Sequence, residues 1–148
     1  MSSEYEYKYD KYGNMTQTTI YDADGEVTGR IKAKRDKKGI LLEQIAYDAN
    51  DEIQYKYEFK YDEDGNRTYY AYYGADGKMT YKYTSKYDKN GNETQYICYN
   101  ADGEMEYKNE YKYDNDGFCK RVIRYDKNGE VTSTTEYEDS QVIYLARD

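Results

Sequence analysis

The sequence predicts an all-β protein: an antiparallel meander of about 12 strands built from five 26-residue hairpin repeats. Three observations carry this. Turn glycines recur at Gly13, Gly25, Gly39, Gly65, Gly77, Gly91, Gly103, Gly117 and Gly129, with Asp51 in the remaining slot, so spacings alternate between 12 and 14. Nineteen of the 24 tyrosines carry odd residue numbers, and residues of one parity in a strand share one face. Proline is absent, which suits uninterrupted ladders.

The repeats run 5–30, 31–56, 57–82, 83–108 and 109–134, followed by a C-terminal cap at 135–148, all within a single domain. Half of the ten turns read Y-D-x-(D/N)-G and the rest are close variants. Asp at the first position and Asp or Asn at the third suit a type I turn, and Gly follows where a left-handed residue is needed. That is a three-residue hairpin loop closed by a glycine bulge. Asp10 is expected opposite Asn14 and Asp22 opposite Glu26, even with even, so that no turn exchanges the faces. Asp51 is expected to take the left-handed conformation, which Asp tolerates.

The strands then fall at about 3–9, 14–21, 26–35, 40–47, 52–61, 66–73, 78–87, 92–99, 104–113, 118–125, 130–138 and 141–146. Connections this short join only antiparallel neighbours. Strand 78–87 shows the alternation, with Met79, Tyr81, Tyr83 and Tyr87 on one side and Lys78, Thr80, Lys82, Thr84 and Lys86 on the other. So many strands rarely stay flat. One long twisted or curled (spiral) sheet is the favoured expectation, with a large barrel, a flattened roll or pairing with a second copy left open.

Composition bounds the function. Charged residues make up 35% of the chain, the net charge is −8, and Leu, Ile, Val and Phe are scarce. A thin, half-wet core resting on Tyr follows, because the ring buries well while its hydroxyl wants a partner. The acidic balance argues against a duplex nucleic acid or an anionic membrane as partner. No apolar run is long enough for a membrane span, and the first residues lack the apolar region of a signal peptide, so the expectation on sequence is a cytoplasmic protein, or a mature or trimmed piece.

Histidine is absent, which removes the commonest general base. Cys98 and Cys119 lack an activating base and have opposite parity, which argues against both a nucleophile and a disulfide. Carboxylate pairs such as Asp22 with Asp24 and Asp62 with Asp64 sit in repeated turns whose residue types are already explained, whereas a catalytic site is unique. The Asp22–Gly25 and Asn100–Gly103 strings lack the ligand number of a calcium loop. The expectation is a chain that is not an enzyme, without catalytic residues, metal or cofactor.

Five tyrosines break the parity. Tyr12 lies in a turn. Tyr144 follows a turn without glycine, where a two-residue loop at Asp139 and Ser140 would invert the phase and return Val142 and Tyr144 to the tyrosine face. Tyr70, Tyr72 and Tyr96 remain, on the polar face of the central strands by parity. There Tyr70 would lie across from Lys82 and Lys82 across from Cys98, with Tyr72 meeting Thr80 and Tyr96 meeting Thr84. Tyr70, Tyr72, Lys82, Tyr96 and Cys98 are the candidate binding residues, since aromatics with a few polar groups mark recognition surfaces. The plainer alternative is that these cross-strand pairs only stabilise the sheet.

The stretches YDEDGNRT at Tyr61–Thr68 and YDKNGNET at Tyr87–Thr94 resemble the Rhs/YD-repeat family, marked by YDxxG followed by N or R. That resemblance implies spiralling β-strips, usually exported, that form shells around toxins or surface adhesion modules. This chain is shorter, richer in Tyr, and mostly carries Glu after its second turns. The expected function is a non-enzymatic structural or interaction module of a larger surface or toxin-associated protein. The alternatives are a cytosolic immunity-type protein that neutralises a toxin and a carbohydrate-binding module using tyrosine faces. A protein or carbohydrate partner is expected, as is a homo-oligomer or fibre through the tyrosine face or the sheet edges.

Overall fold

The computed structural model describes residues 3–138 and 141–144, with side chains as far as residue 138. The turns form as their residues require. Asp10 N–H donates to the Asn14 carbonyl at 2.9 Å and Gly13 N–H to the Asp10 carbonyl at 3.1 Å, and the same pair of bonds recurs from Asp22 to Asp126. The Asp10 carboxylate accepts from the Tyr12 and Asn14 backbone N–H groups at 2.8 and 3.0 Å. Gly65 sits at φ 86° and Asp51 at φ 63°, left-handed values that glycine adopts freely and Asp at some cost.

Between these turns lie twelve strands among the described residues: β1 (Glu4–Tyr9), β2 (Met15–Tyr21), β3 (Val27–Arg35), β4 (Leu41–Asp48), β5 (Ile53–Tyr61), β6 (Arg67–Tyr73), β7 (Met79–Tyr87), β8 (Glu93–Tyr99), β9 (Met105–Tyr113), β10 (Cys119–Tyr125), β11 (Val131–Glu138) and β12 (Gln141–Tyr144). They form one antiparallel sheet in strict chain order. Two compact units divide the chain: Met1–Lys60 with Tyr70–Thr80, and Tyr61–Tyr69 with Tyr81–Asp148.

The expected preservation of parity holds through each turn and fails just beyond it. Tyr9 pairs with Met15, but Lys8 pairs with Gln17, leaving Thr16 without an opposite residue. The same bulge leaves Thr28, Leu42, Gln54, Thr94, Glu106, Lys120 and Thr132 with no opposite residue in the ladder. A bulge adds one residue to one strand and increases the local twist. Numbering and faces therefore fall out of step once per hairpin. Thr16, Thr28, Thr94 and Thr132 each donate a hydroxyl to the carbonyl of the opposite strand at 3.2–3.3 Å. Gln54 and Lys120 instead reach the turn aspartates Asp48 and Asp114.

Within each unit, odd-numbered strands from β1 to β11 show their odd residues to the face on which even-numbered strands show their even ones. Tyr7 accordingly pairs with Thr18, Tyr83 with Cys98 and Tyr96 with Asn109. The expectation of one face holding all odd tyrosines is thereby corrected. Tyr21, Tyr47, Tyr73, Tyr99 and Tyr125 lie on the opposite, charged face of their units. There Lys32, Lys56, Lys82 and Lys108 sit 4.0–5.0 Å from the ring centroids of Tyr47, Tyr73, Tyr99 and Tyr125, within cation–π range. The hydroxyls of Tyr21, Tyr73 and Tyr125 donate to Glu6, Glu58 and Glu110 at 2.8–3.0 Å.

β12 pairs with β11 through Glu138 and Gln141, the register expected of a two-residue connection. The loop at Asp139 and Ser140, and the side chains of Val142 and Tyr144, lie outside the described residues. The core is thin, as composition requires: Ala46, Ala71, Cys98, Thr18 and Thr19 are buried, and no large side chain is fully buried among the described residues.

At one edge of each unit, turn aspartates hold carboxyls that ionise more readily than usual. A backbone N–H donated by Asn14, Asn92 and Phe118 is the main cause for Asp10, Asp88 and Asp114. At Asp62 desolvation opposes the shift, and bonds from Asn66 outweigh it. A carboxyl depressed in the folded state binds fewer protons there than in the unfolded chain, so stability falls as pH falls. Thermal unfolding midpoints should therefore hold steady above about pH 5 and drop as pH falls below about 4. A midpoint that stays level from pH 6 to pH 3 would show that these turns contribute nothing to acid sensitivity.

Candidate functional site

In each unit the face that carries the parity-breaking tyrosines, Tyr70 and Tyr72 in the first and Tyr96 in the second, is set apart by the charges it lacks. Between the bulges in the first unit it carries Tyr5 and Tyr7 from β1, Thr18 and Ile20 from β2, Gly29, Ile31 and Ala33 from β3, Gln44 and Ala46 from β4, Tyr55, Tyr57 and Phe59 from β5, and Tyr70 and Tyr72 from β6. None is charged, in a chain that is 35% charged. The rings cluster. Tyr57 lies 5.6 Å from Tyr70 in a stacked pair and 5.2 Å from Tyr72, and Phe59 lies 5.5 Å from Tyr70. These separations are those of favourable aromatic pairs. All five rings from Tyr55 to Tyr72 remain half-buried.

The corresponding face of the second unit follows the same rule. Tyr83 stacks on Tyr96 at 5.1 Å, and Tyr96 lies 6.1 Å from Tyr107. Desolvation, and then the neighbouring Tyr107 and Tyr83 hydroxyls, push the Tyr96 phenol well above the usual tyrosine range. It therefore stays neutral and can both donate and accept hydrogen bonds. Cys98 is buried opposite Tyr83 and Tyr107. Its thiol approaches the Glu106 carboxylate at 3.6 Å, and desolvation followed by that carboxylate pushes the thiol up. That is the reverse of what activates a cysteine.

Between the bulges this second face has one charged residue, Arg124. Its guanidinium lies 4.5 Å from the centroid of the Tyr107 ring. Arg124 pairs across the strands with Asn109. Asn109 donates its amide to the Tyr111 hydroxyl at 3.2 Å, while its Oδ1 is buried without a partner.

The five sequence candidates are thus only partly brought together. Tyr70 and Tyr72 join Tyr55, Tyr57 and Phe59 in the first unit; Tyr96 and Cys98 join Tyr83 and Tyr107 in the second. Lys82 lies on the charged face, paired with Tyr99. Tyr96 pairs with Ser85 and Thr84 with Ile97, not with each other as parity suggests, because Thr94 is the extra residue. Sequence reasoning missed Asn109 and Arg124. The signal for both was their slot in the repeat: Ile31, Tyr57 and Tyr83 stand where Asn109 does, and Ile20, Ala46, Tyr72 and Cys98 where Arg124 does. Among the described residues no cluster of acidic, cysteine or histidine side chains is arranged to hold a metal ion.

No protein-family profile matches the chain, and no curated protein does. Solved structures with a detectable likeness include the GtfA/B complex bound to UDP and GlcNAc, at 12% identity over 95% of this chain and 24% of that one, TM-score 0.34. A porin-like protein from Bacteroides uniformis ATCC 8492 matches at 15% identity over 84% and 44% of the two chains, TM-score 0.35. TcdB2-TccC3 without its hypervariable C-terminal region matches at 11% identity over 89% and 12%, TM-score 0.26. The chain spans less than half the length of each. All three TM-scores lie below 0.5, too low to carry fold or function across.

Proposed function

We propose that the chain is a non-enzymatic interaction module that engages its partner through the uncharged tyrosine face. The carrying observation is the segregation of charge. Lys, Arg, Glu and Asp crowd the turns and the opposite face, whereas the ring-bearing face has no charge between its bulges in the first unit and only Arg124 in the second. Charges are depleted where a surface is to be desolvated by a partner, and tyrosine is enriched there. The YDxxGN turns at Tyr61–Thr68 and Tyr87–Thr94 favour placing such a module within a larger surface or toxin-associated repeat protein, the setting that the Rhs/YD resemblance implies.

Affinity capture with matched variants tests the reading. Tyr57→Asp and Tyr96→Asp, each on this face, are expected to weaken retention of a captured partner at least about tenfold, as loss of interface anchors does. Lys32→Asp and Lys112→Asp, on the charged face, should leave it unchanged. Circular dichroism checks that all four fold. Loss through the lysine variants with full retention in the tyrosine variants would assign recognition to the other face.

A further inference from the structure

A repeat explains most of its own residues, because a slot on this face holds an uncharged residue, mostly apolar or aromatic, from copy to copy. What it does not explain is a departure. On the uncharged face two departures coincide in one cross-strand pair: Asn109 stands where Ile31, Tyr57 and Tyr83 stand, and its partner Arg124 stands where Ile20, Ala46, Tyr72 and Cys98 stand. The first does not improve the sheet. The Asn109 Oδ1 is buried with no hydrogen-bond partner, an arrangement that costs stability. Turning the amide over would only transfer the deficit to its nitrogen. Arg124 is exposed, lies over the Tyr107 ring, and forms no ion pair with a carboxylate among the described residues.

We infer that Arg124, Asn109 and Tyr111, beside the paired rings of Tyr96 and Tyr107, bind the carboxylate-bearing residue of an acidic glycan. This rests on the uncharged face being the recognition surface and names the chemistry of what it recognises. A guanidinium stacked on a tyrosine keeps its N–H edges free for bidentate pairing with a carboxylate. The amide of Asn109 and the hydroxyls of Tyr96 and Tyr111 both donate and accept, which is what sugar hydroxyls require. Ring faces with a few convergent polar groups complete a site for a small, partly apolar ring. A peptide carboxylate is the less suited occupant. Both β9 and β10 are paired on both edges, so no backbone is open here for an added strand, the commonest way a sheet takes a peptide. The net charge of −8 favours one carboxylate over a polyanion.

Titration calorimetry with two matched sugars provides the test. Aldotetraouronic acid, which is xylotriose bearing a single glucuronate, is expected to bind at least tenfold more tightly than xylotriose. Arg124→Gln should remove that difference, Arg124→Lys should restore part of it, and Lys82→Gln on the charged face should leave it intact. Thermal melts confirm folding in each case. Equal affinity for the two sugars, no binding of the acid at millimolar concentration, or a preference for acetyl-Gly-Glu-Gly-amide would overturn the inference. If these fail while Tyr57→Asp and Tyr96→Asp still release a captured partner, the assignment of the sugar falls and the interaction face stands.

Discussion

Deleting Ile97 is expected to remove most of the stability of the second unit, whereas deleting Thr94, three residues earlier in the same strand, costs about 1–2 kcal/mol. Thr94 is the extra residue of the β7–β8 bulge: Tyr87 pairs with Glu93 and Lys86 with Gln95. Without it the ladder becomes regular, each remaining residue keeps its partner and face, and the loss is the hydroxyl bond to the Lys86 carbonyl with some local twist. Ile97 has no such slack. Its removal, absorbed at the bulge, turns Gln95 onto the tyrosine face and Tyr96 onto the charged face, since a one-residue slip exchanges sides. Tyr96 then loses its stacking on Tyr83 and its contact with Tyr107. Lost burial of Tyr96 and Ile97, together with the aromatic pairs, comes to about 5 kcal/mol. That matches the whole stability of a marginal domain. Urea unfolding followed by circular dichroism reads both variants, and equal losses would mean that Thr94 is an ordinary strand residue.

Asn109→Tyr is expected to stabilise the protein and, at the same time, to abolish recognition of the acidic sugar. The substitution restores the residue found at Tyr57 and Tyr83 and removes the buried acceptor that has no partner. An unsatisfied buried polar atom costs about 1–3 kcal/mol. The new ring also adds contact with the Tyr96 side of the face, since Tyr96 is the cross-strand partner of Asn109. A gain of about 1–2 kcal/mol in urea unfolding is the expected outcome. A site kept for binding at the expense of stability shows this opposition. A variant that melts lower than the native chain would instead make the Asn109 amide a structural element.

Local chemistry was legible in the residues. The Asp and Gly slots announced the turns, the strand ends fall close to their expected positions, and Asp51 adopts the left-handed conformation assigned to it. Facing was misread, for a definite reason. The repeat has an even length of 26 residues, so any slot occupied by Tyr keeps its parity down the chain whichever face it occupies. Parity assigns faces only when the pairing is known, and the bulge alters the pairing. A clue was available: Thr16, Thr28, Thr68, Thr80, Thr94 and Thr132 each stand three places after a turn glycine. Tyr70, Tyr72 and Tyr96 stood out by parity because they occupy even-numbered strands. Lys82 looked like their neighbour because it shares that parity. Asn109 and Arg124 left no trace in composition and emerge only when slots are compared across repeats.

The paired bulges also govern how such a chain can change length. Each 26-residue step contains two turns and two extra residues, so copying or losing a whole step leaves every downstream side chain facing as before. Gain or loss of a single strand would join two strands of the same type and set tyrosines against lysines. The molecule is thus free to be lengthened by duplication in increments of two strands, about 9.6 Å of sheet each. Every added increment brings a new slot in which a lone substitution, like that at Asn109, can acquire a specificity of its own.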